Sequence, residues 1–117
     1  MPRRPTTDEA SQLTPLMFQV LVALTQGEQH GYGIMREIEE RSAGEFTIGA
    51  GSMYRALKQL VDAGLVSEVA SPPGSHRQRR TYRITAAGRR RAAAEARVLA
   101  GIVDWARGAD LLRGYRP

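Results

Sequence analysis

The spacing of apolar residues predicts three short helices, a β-hairpin and one long helix, in that order. Thr14-Pro15 is suited to start the first helix, since threonine caps a helix N-terminus and proline fits the first helical turn. This helix ends before Gly27 and is apolar on nearly every face, so we expect it to be the central one. The second helix, at residues 34–41, carries apolar residues at i, i+3 and i+4 on one face.

The third predicted helix, at residues 52–63, differs because its exposed face carries hydrogen-bonding side chains. A short extended segment at residues 45–48, with Phe46 and Ile48 on one side, precedes it, and Gly64 is suited to the left-handed position that ends a helix. The apolar face consists of Met53, Leu57, Leu60 and Val61, and the opposite face of Ser52, Arg55, Gln59 and Asp62, with Tyr54 and Lys58 at its margins. A short helix that follows another through a glycine-containing turn is typical of a helix-turn-helix.

The second half of the chain predicts a hairpin and then a long helix. Strands at residues 65–69 and 79–84 are joined by a tip at residues 70–78 that contains Pro72-Pro73-Gly74, a strong turn signal. Thr85 is suited to cap a last helix over about residues 86–112, which would be about 40 Å long at ~1.5 Å per residue. The predicted fold class is mainly α with a small β-hairpin, a winged helix-turn-helix plus a long C-terminal dimerisation helix.

This order of elements divides the chain into three parts. Residues 1–12 are rich in proline, threonine and arginine and are expected to form a flexible N-terminal arm. Residues 13–85 form the winged helix-turn-helix domain, and residues 86–117 form the C-terminal helix and tail.

The charge is unevenly distributed along the chain. The net charge is +5, yet residues 8–68 carry a net charge of −5 and residues 69–117 one of +8. Residues 77–91 contain seven arginines and no acid. A guanidinium binds phosphate and guanine through a rigid fork, so this clustering favours nucleic acid as the partner. A codon bias toward arginine would raise the total but would not cluster it.

Several classes of protein are disfavoured by composition. The absence of cysteine excludes a disulfide scaffold, a zinc-thiolate site and a thiol nucleophile. With only His30 and His76, and no nucleotide-binding glycine pattern, we expect no enzyme, no metal and no cofactor. No apolar run approaches the ~20 residues of a membrane span, and the N-terminus lacks the apolar stretch of a signal peptide. We therefore expect a soluble, cytoplasmic protein without a membrane partner.

The polar face of the third helix and the basic hairpin supply the candidate DNA-binding residues. Arg55 is the best candidate for reading bases, because its fork matches guanine O6 and N7, and Gln59 is suited to adenine or a water bridge. Ser52 and Tyr54 are expected to hold phosphate beside the free N–H groups of the helix N-terminus, and Lys58 is expected to contact phosphate as well. The expected phosphate contacts on the hairpin are Arg77, Arg79 and Arg80, with His76 beside them.

Some of these residues also have a purely structural interpretation. Tyr54 can belong partly to the core, and Arg55 can pair with a nearby carboxylate. Arg83 is expected to be a solvated residue of the strand, and His30 a residue of a turn or of the core. Residues 89–91, three arginines on the last helix, are suited either to flanking phosphate or to keeping that helix in solvent.

The last helix carries an apolar stripe that is too broad for one winged domain to cover. The stripe consists of Val98, Ile102, Trp105, Ala109 and Leu112 at four-three-four spacing, widened by Leu99, Val103 and Ala106. We expect a second copy of the chain to cover it. A two-fold dimer would place two third helices about one DNA turn apart, ~34 Å, over a pseudo-palindrome. The alternative is packing within one chain.

Five segments resemble the PadR family of transcriptional regulators in order and spacing over residues 13–91. They are Leu13-Thr14, His30-Gly31-Tyr32-Gly33-Ile34, Gly51-Ser52-Met53-Tyr54-Arg55-Ala56-Leu57, Leu60 with Gly64-Leu65-Val66, and Arg80-Thr81-Tyr82-Arg83-Ile84-Thr85 with Gly88. The resemblance implies a homodimer, usually a repressor, whose recognition helix and wing map onto residues 52–63 and 66–84.

The single predicted helix after the wing is similar to that of the short subgroup of this family. Some members of that subgroup bind planar hydrophobic drugs between aromatic residues at the dimer centre. The resemblance therefore implies a small hydrophobic effector and makes Trp105 a candidate ligand contact. The alternative is that Trp105 packs against the other subunit or the first helix.

Together these patterns predict a sequence-specific transcriptional regulator, a repressor that binds double-stranded DNA as a homodimer. The alternative is a winged-helix module that binds a protein or RNA. Such modules usually lose the exposed polar residues that the third helix of this chain keeps.

Overall fold

The computed structural model describes residues 13–42, 44–45, 47–69 and 80–116. The elements of this part of the chain are helix α1 (Pro15–Leu24), strand β1 (Gln29–His30), helix α2 (Gly31–Arg41), helix α3 (Ala50–Asp62), strands β2 (Val66–Val69) and β3 (Thr81–Ile84), and helix α4 (Ala86–Gly108). The N-terminal arm, Phe46 and the hairpin tip with His76, Arg77 and Arg79 lie outside the described residues. The predicted fold class and order of elements are confirmed, with one additional strand.

Helix α1 is the central helix, as its pattern predicts. The Thr14 hydroxyl oxygen accepts a hydrogen bond from the Met17 N–H at 3.1 Å, which caps the helix. Val20, Leu21 and Leu24 are fully or almost fully buried. The helix packs against α2, α3, α4 and β3, so the core of the winged domain forms around it.

The three strands form one antiparallel sheet in the order β1-β3-β2. In the predicted hairpin, β2 and β3 pair from Val66 opposite Ile84 to Val69 opposite Thr81. Strand β1 is short, and its Gln29 lies opposite Tyr82. Sequence reasoning missed it, because two residues carry no alternation and their partner strand lies some fifty residues further along. The buried side chains of this sheet are Val66, Tyr82 and Ile84.

Two helices begin earlier than predicted. Helix α2 begins at Gly31, after His30, whose side chain makes no cap hydrogen bond. Helix α3 begins at Ala50, after Gly49, which has no side chain that could cap the helix. The turn before α3 buries Ile48, one of the two apolar residues of the predicted extended segment. Helix α3 ends as predicted at a left-handed Gly64 (φ 78°).

Helix α4 ends at Gly108, four residues before the predicted end. Asp110 takes a left-handed conformation (φ 65°), its N–H bonds to the Arg107 carbonyl, and the Leu111 N–H bonds to the Ala106 carbonyl. This is a Schellman motif with aspartate where glycine or asparagine is usual, which explains why the sequence pattern did not reveal it. The prediction that Ala109 and Leu112 continue the helical stripe is therefore wrong.

Candidate nucleic-acid interface

Helix α3 has one side packed in the core and the other at the surface. Met53, Leu57 and Leu60 are almost completely buried and hold the helix against the rest of the domain. The exposed residues of the predicted polar face are Ser52, Arg55, Lys58, Gln59 and Asp62. Because the buried side is anchored by well-packed apolar residues, the polar side is presented to solvent in a fixed orientation.

Arg55 is available for a contact outside the chain. One of its guanidinium nitrogens, Nη2, donates to the Ser52 hydroxyl oxygen at 3.3 Å. Among the described residues no carboxylate pairs with Arg55, and Asp62 pairs with Lys58 instead. The described residues therefore do not support the alternative in which Arg55 only neutralises an acid. The remaining guanidinium donors can meet a planar acceptor pair.

Two ion pairs border a groove between α3 and the β2–β3 hairpin. The hairpin is called the wing below. Lys58 Nζ lies 3.1 Å from Asp62 Oδ2, and Arg80 Nε lies 3.4 Å from Glu68 Oε2. All four residues line the groove, whose volume is about 360 Å³. The base of the wing and the exposed side of α3 are thus neighbours on one surface.

Tyr54 serves the packing of α2 on α3. Its ring packs against the core, and its hydroxyl is buried. A Cβ on Gly31 would lie 2.8 Å from both Cε1 and the hydroxyl oxygen of Tyr54, so a larger residue at the start of α2 would force the Tyr54 side chain to shift. The burial favours the core interpretation of Tyr54, and Ser52 is the more exposed of the two predicted phosphate contacts.

Glu39 positions the start of α3, a role that sequence reasoning missed. Its Oε2 accepts a hydrogen bond from the Ile48 N–H at 3.0 Å. This bond ties α2 to the turn before α3. A charge-rich stretch such as residues 36–41 carries no signal that singles out one glutamate for this contact.

A second set of contacts that sequence reasoning missed connects α1, β1 and α2 through the Gln29 side chain. Gln29 Nε2 donates to the Ala23 carbonyl at 3.0 Å and to Glu37 Oε1 at 3.0 Å. The hydrogen bond from Gln29 is the largest single cause that lowers the pKa of Glu37; burial acts in the opposite direction, and the hydrogen bond and charge of Arg41 lower the pKa further.

Most arginines of the wing base and of the start of α4 have partners within the chain. Arg83 pairs with Glu28 at 3.0 Å and is exposed, in line with the expected solvated strand residue. Arg89 donates to the Thr25 carbonyl at 3.3 Å, and Arg91 pairs with Glu95 at 3.2 Å. These contacts favour a structural role for the arginines at residues 89 and 91. His30 lies in β1, with its Nδ1 3.3 Å from the Thr81 hydroxyl.

The second half of α4 presents apolar side chains to solvent. Within the described chain Ala92 is the last buried residue, and Trp105 is 79% exposed and Ile102 51% exposed. The other large exposed apolar residues of this helix are Val98, Leu99 and Val103. Ala106 is partly buried. An apolar surface of this kind marks an interaction site.

Residues 20–94 match the family model described as the transcriptional regulator PadR-like family. The chain belongs to this family. The resemblance read from the sequence is confirmed, and the PadR-like chain is a DNA-binding transcriptional regulator, not an enzyme. This disfavours the alternative of a module for protein or RNA.

Solved structures share the fold of this PadR-like chain. A PadR family transcription regulator from Clostridium difficile R20291 has a TM-score of 0.70 and 23% identity, covering 81% of this chain and 97% of that one. A transcriptional regulator from Clostridium thermocellum has a TM-score of 0.64 and 19% identity, covering 87% and 90%. Bacillus subtilis PadR, solved in complex with operator DNA, has a TM-score of 0.61 and 23% identity, covering 71% and 47%.

The search of curated proteins found no match. Among the described residues no helix combines the length and apolar character that crossing a bilayer demands. In the same part of the chain no group of His, Asp and Glu is suited to hold a metal ion.

Proposed function

We propose that this chain is a homodimeric repressor that binds a pseudo-palindromic operator, with α3 as the recognition helix. The observation that carries the proposal is the exposed Arg55, which has no carboxylate partner among the described residues, on a helix whose other face is buried. An α-helix fits the ~12 Å major groove, and residues of its first turns reach base edges. We infer a cytoplasmic location from this target.

The proposed division of labour places base reading on α3 and phosphate binding around it. Arg55 is proposed to read guanine, and Gln59, one turn later, to read adenine or bridge through water. Ser52, Lys58 and Arg80 are proposed as phosphate contacts, since phosphate contacts set orientation without sequence information. The same role is proposed for His76, Arg77 and Arg79 at the wing tip, outside the described residues.

The exposed apolar face of α4 supports the homodimer. Val98, Ile102 and Trp105 lie on one face of the helix and are all more than half exposed. The occupant we propose is the same face of a second copy, because a two-fold axis brings identical stripes together and pairs the two recognition helices. A bound dimer covers about two turns of DNA, so occupancy of a promoter is the proposed means of repression.

Selection of duplexes from a random pool tests the proposal. We expect an inverted repeat whose half-sites lie about one helical turn apart, and binding that weakens steeply with salt. Arg55→Ala should weaken binding to the selected duplex by ~1–3 kcal/mol and change binding to random DNA little. Gln19→Ala, at a partly exposed position of α1, is the control. Equal losses for Arg55→Ala on both duplexes would remove Arg55 as a base reader, and selection of no duplex by folded protein would refute the function.

A small hydrophobic effector is proposed as the ligand of the dimer centre, with Trp105 as its contact. The exposure of the indole supports this, since an uncovered aromatic face is suited to stack on a planar ring. Trp105 is the single tryptophan of the chain, so its fluorescence reports directly on this position. Quenching by planar cations or drugs that also releases DNA would support the effector. An emission that shifts on dimerisation but responds to no such compound would assign Trp105 to packing alone.

A further inference from the structure

Two carboxylates lie on the surface that we propose to contact DNA. Each of them forms an ion pair with a cationic side chain of the same surface. Asp62 pairs with Lys58 and Glu68 with Arg80, and both pairs border the same groove. A surface devoted only to attracting phosphate would leave these cations unpaired. The presence of the two acids on this surface therefore requires an explanation.

Stabilisation of the fold does not explain why the two acids are present. All four side chains are at least 39% exposed, and exposed pairs of this kind contribute about 0–1 kcal/mol. Asp62 is the last residue of α3, where the helix dipole disfavours a negative charge. The order lysine then acid at i and i+4 is also the weaker orientation for a helical pair.

The effect of the two acids on DNA binding is larger and has a definite sign. A phosphate that approaches Lys58 or Arg80 has to displace a carboxylate that already accepts the cation. After the exchange, the carboxylate remains beside the negatively charged backbone at a distance below the Debye length of ~10 Å, where like charges repel. Each acid thus opposes phosphate binding whatever the base sequence.

We propose that Asp62 and Glu68 limit the sequence-independent affinity of this surface for DNA. The inference rests on the proposed function and adds two residues to it that weaken binding. The base-reading contact of Arg55 is left untouched, because Arg55 pairs with neither acid. Discrimination between duplexes then comes from α3, while Asp62 and Glu68 set how tightly any duplex is held.

The test uses the full chain with Asp62→Asn, Glu68→Gln and the double substitution, which remove charge at nearly constant shape. Dissociation constants are measured on the selected duplex and on a random duplex of equal length, from about 50 to 200 mM salt. We expect the double variant to bind both duplexes roughly three- to tenfold more tightly. The gain should be equal on the two duplexes, because both present the same phosphates. The salt slope should steepen by up to about 0.9 for each cation released.

Glu40→Gln is the matched control, since Glu40 pairs with the exposed Arg36 on α2 and does not line the groove. An equal gain in this control would attribute the effect to net charge alone and overturn the proposal. Unchanged affinity in the double variant would overturn it as well. A loss confined to the selected duplex would assign a base-reading carboxylate, which accepts from cytosine N4, and would also overturn it. In these three outcomes the wild-type chain still binds DNA, whereas failure of the folded wild type to bind any duplex refutes the proposed function itself.

Discussion

Helices α3 and α4 each leave one side uncovered, but the chemistry of the two uncovered sides is opposite. On α3 the large exposed side chains are polar or charged, whereas large apolar residues on the other side, such as Met53 and Leu57, are buried. On the second half of α4 the large apolar residues are themselves exposed, as at Ile102 and Trp105. Water therefore covers the first side at little cost and the second only unfavourably.

The difference between the two sides indicates what kind of partner each of them suits. A polar side that water covers well is suited to a partner that comes and goes, such as DNA. An apolar side that water covers poorly is suited to a permanently bound partner, which we propose is a second copy of the chain. In the proposed dimer the two sides are coupled, because the contact between the two α4 helices sets how far apart the two α3 helices are held.

Ile102→Glu is expected to have the largest effect, because it places a charge on the exposed apolar face of α4. A buried glutamate at the centre of the proposed α4 interface would be unpaired, so the dimer should dissociate. Loss of bivalent binding should weaken operator affinity by about a hundredfold or more. Sedimentation should give a monomer, and circular dichroism should show that the winged domain remains folded.

Ala100→Glu, on the opposite side of the same helix, is the control for this substitution. Ala100 is exposed and lies outside the apolar stripe, so we expect the dimer and its DNA affinity to persist. A dimeric Ile102→Glu variant with normal operator binding would contradict the proposed interface.

Gly88→Ala tests the joint between the two regions. Thr85 donates its hydroxyl to the Gly64 carbonyl at 2.8 Å and accepts from the Gly88 N–H at 2.9 Å, which holds the start of α4 on the end of α3. A Cβ on Gly88 would overlap the Leu65 carbonyl oxygen, so the backbone would have to shift. We expect a loss of about 2–3 kcal/mol in the free energy of unfolding, measured with denaturant.

Gly101→Ala is the matched substitution on the exposed half of α4. A Cβ there would meet nothing within 4 Å, and alanine is the better helix former by about 0.5–1 kcal/mol. It should therefore stabilise slightly at equal protein concentration. Destabilisation of similar size by both substitutions would show that the close approach at Gly88 is not responsible.

How far the sequence predicts this molecule depends on how local each cause is. The helices, the hairpin and the exposed polar side of α3 follow from local periodicity, and Gly64 from the requirement of a left-handed turn. Strand β1 and the Ile48 contact of Glu39 depend on where the chain returns after a turn, which periodicity does not encode. The end of α4 was misplaced because its left-handed residue is Asp110 rather than a glycine.

The contacts of the surface arginines were equally hard to predict. A basic cluster in the sequence does not show which cations have acids beside them in space. Arg80 faces Glu68 on the adjacent strand, whereas Arg55 has no such neighbour among the described residues. Only cross-strand register and helix placement separate the two cases.

Glu39→Ala tests whether the polar side of α3 depends on how the helix begins. Loss of the acceptor leaves the partly buried Ile48 N–H without its partner, which should cost about 1 kcal/mol in stability and weaken operator binding severalfold. Glu39→Gln keeps an acceptor oxygen and should restore most of both. If glutamine behaves like alanine, the charge of Glu39 matters more than its hydrogen bond.

Glu37 gives the smallest expected effect and concerns only the winged domain. Its pKa is lowered from the ordinary value of 4.5, chiefly by the hydrogen bond from Gln29. A lowered pKa in the folded state means that the unfolded chain binds the proton more readily. The stabilisation is therefore present above about pH 4.5 and is lost as the pH falls through the folded-state pKa.

Glu37→Gln should thus flatten the loss of stability below about pH 4.5, by well under about 1 kcal/mol, because the side chain is 25% exposed. Denaturant titrations of both proteins between about pH 3 and 7 would measure the change. Gln29→Ala should flatten the curve more than Arg41→Gln, since the Gln29 hydrogen bond is the largest single cause. The reverse order would mean that the ion pair with Arg41, at the exposed edge of α2, sets the pKa of Glu37, and that Gln29 only connects the elements.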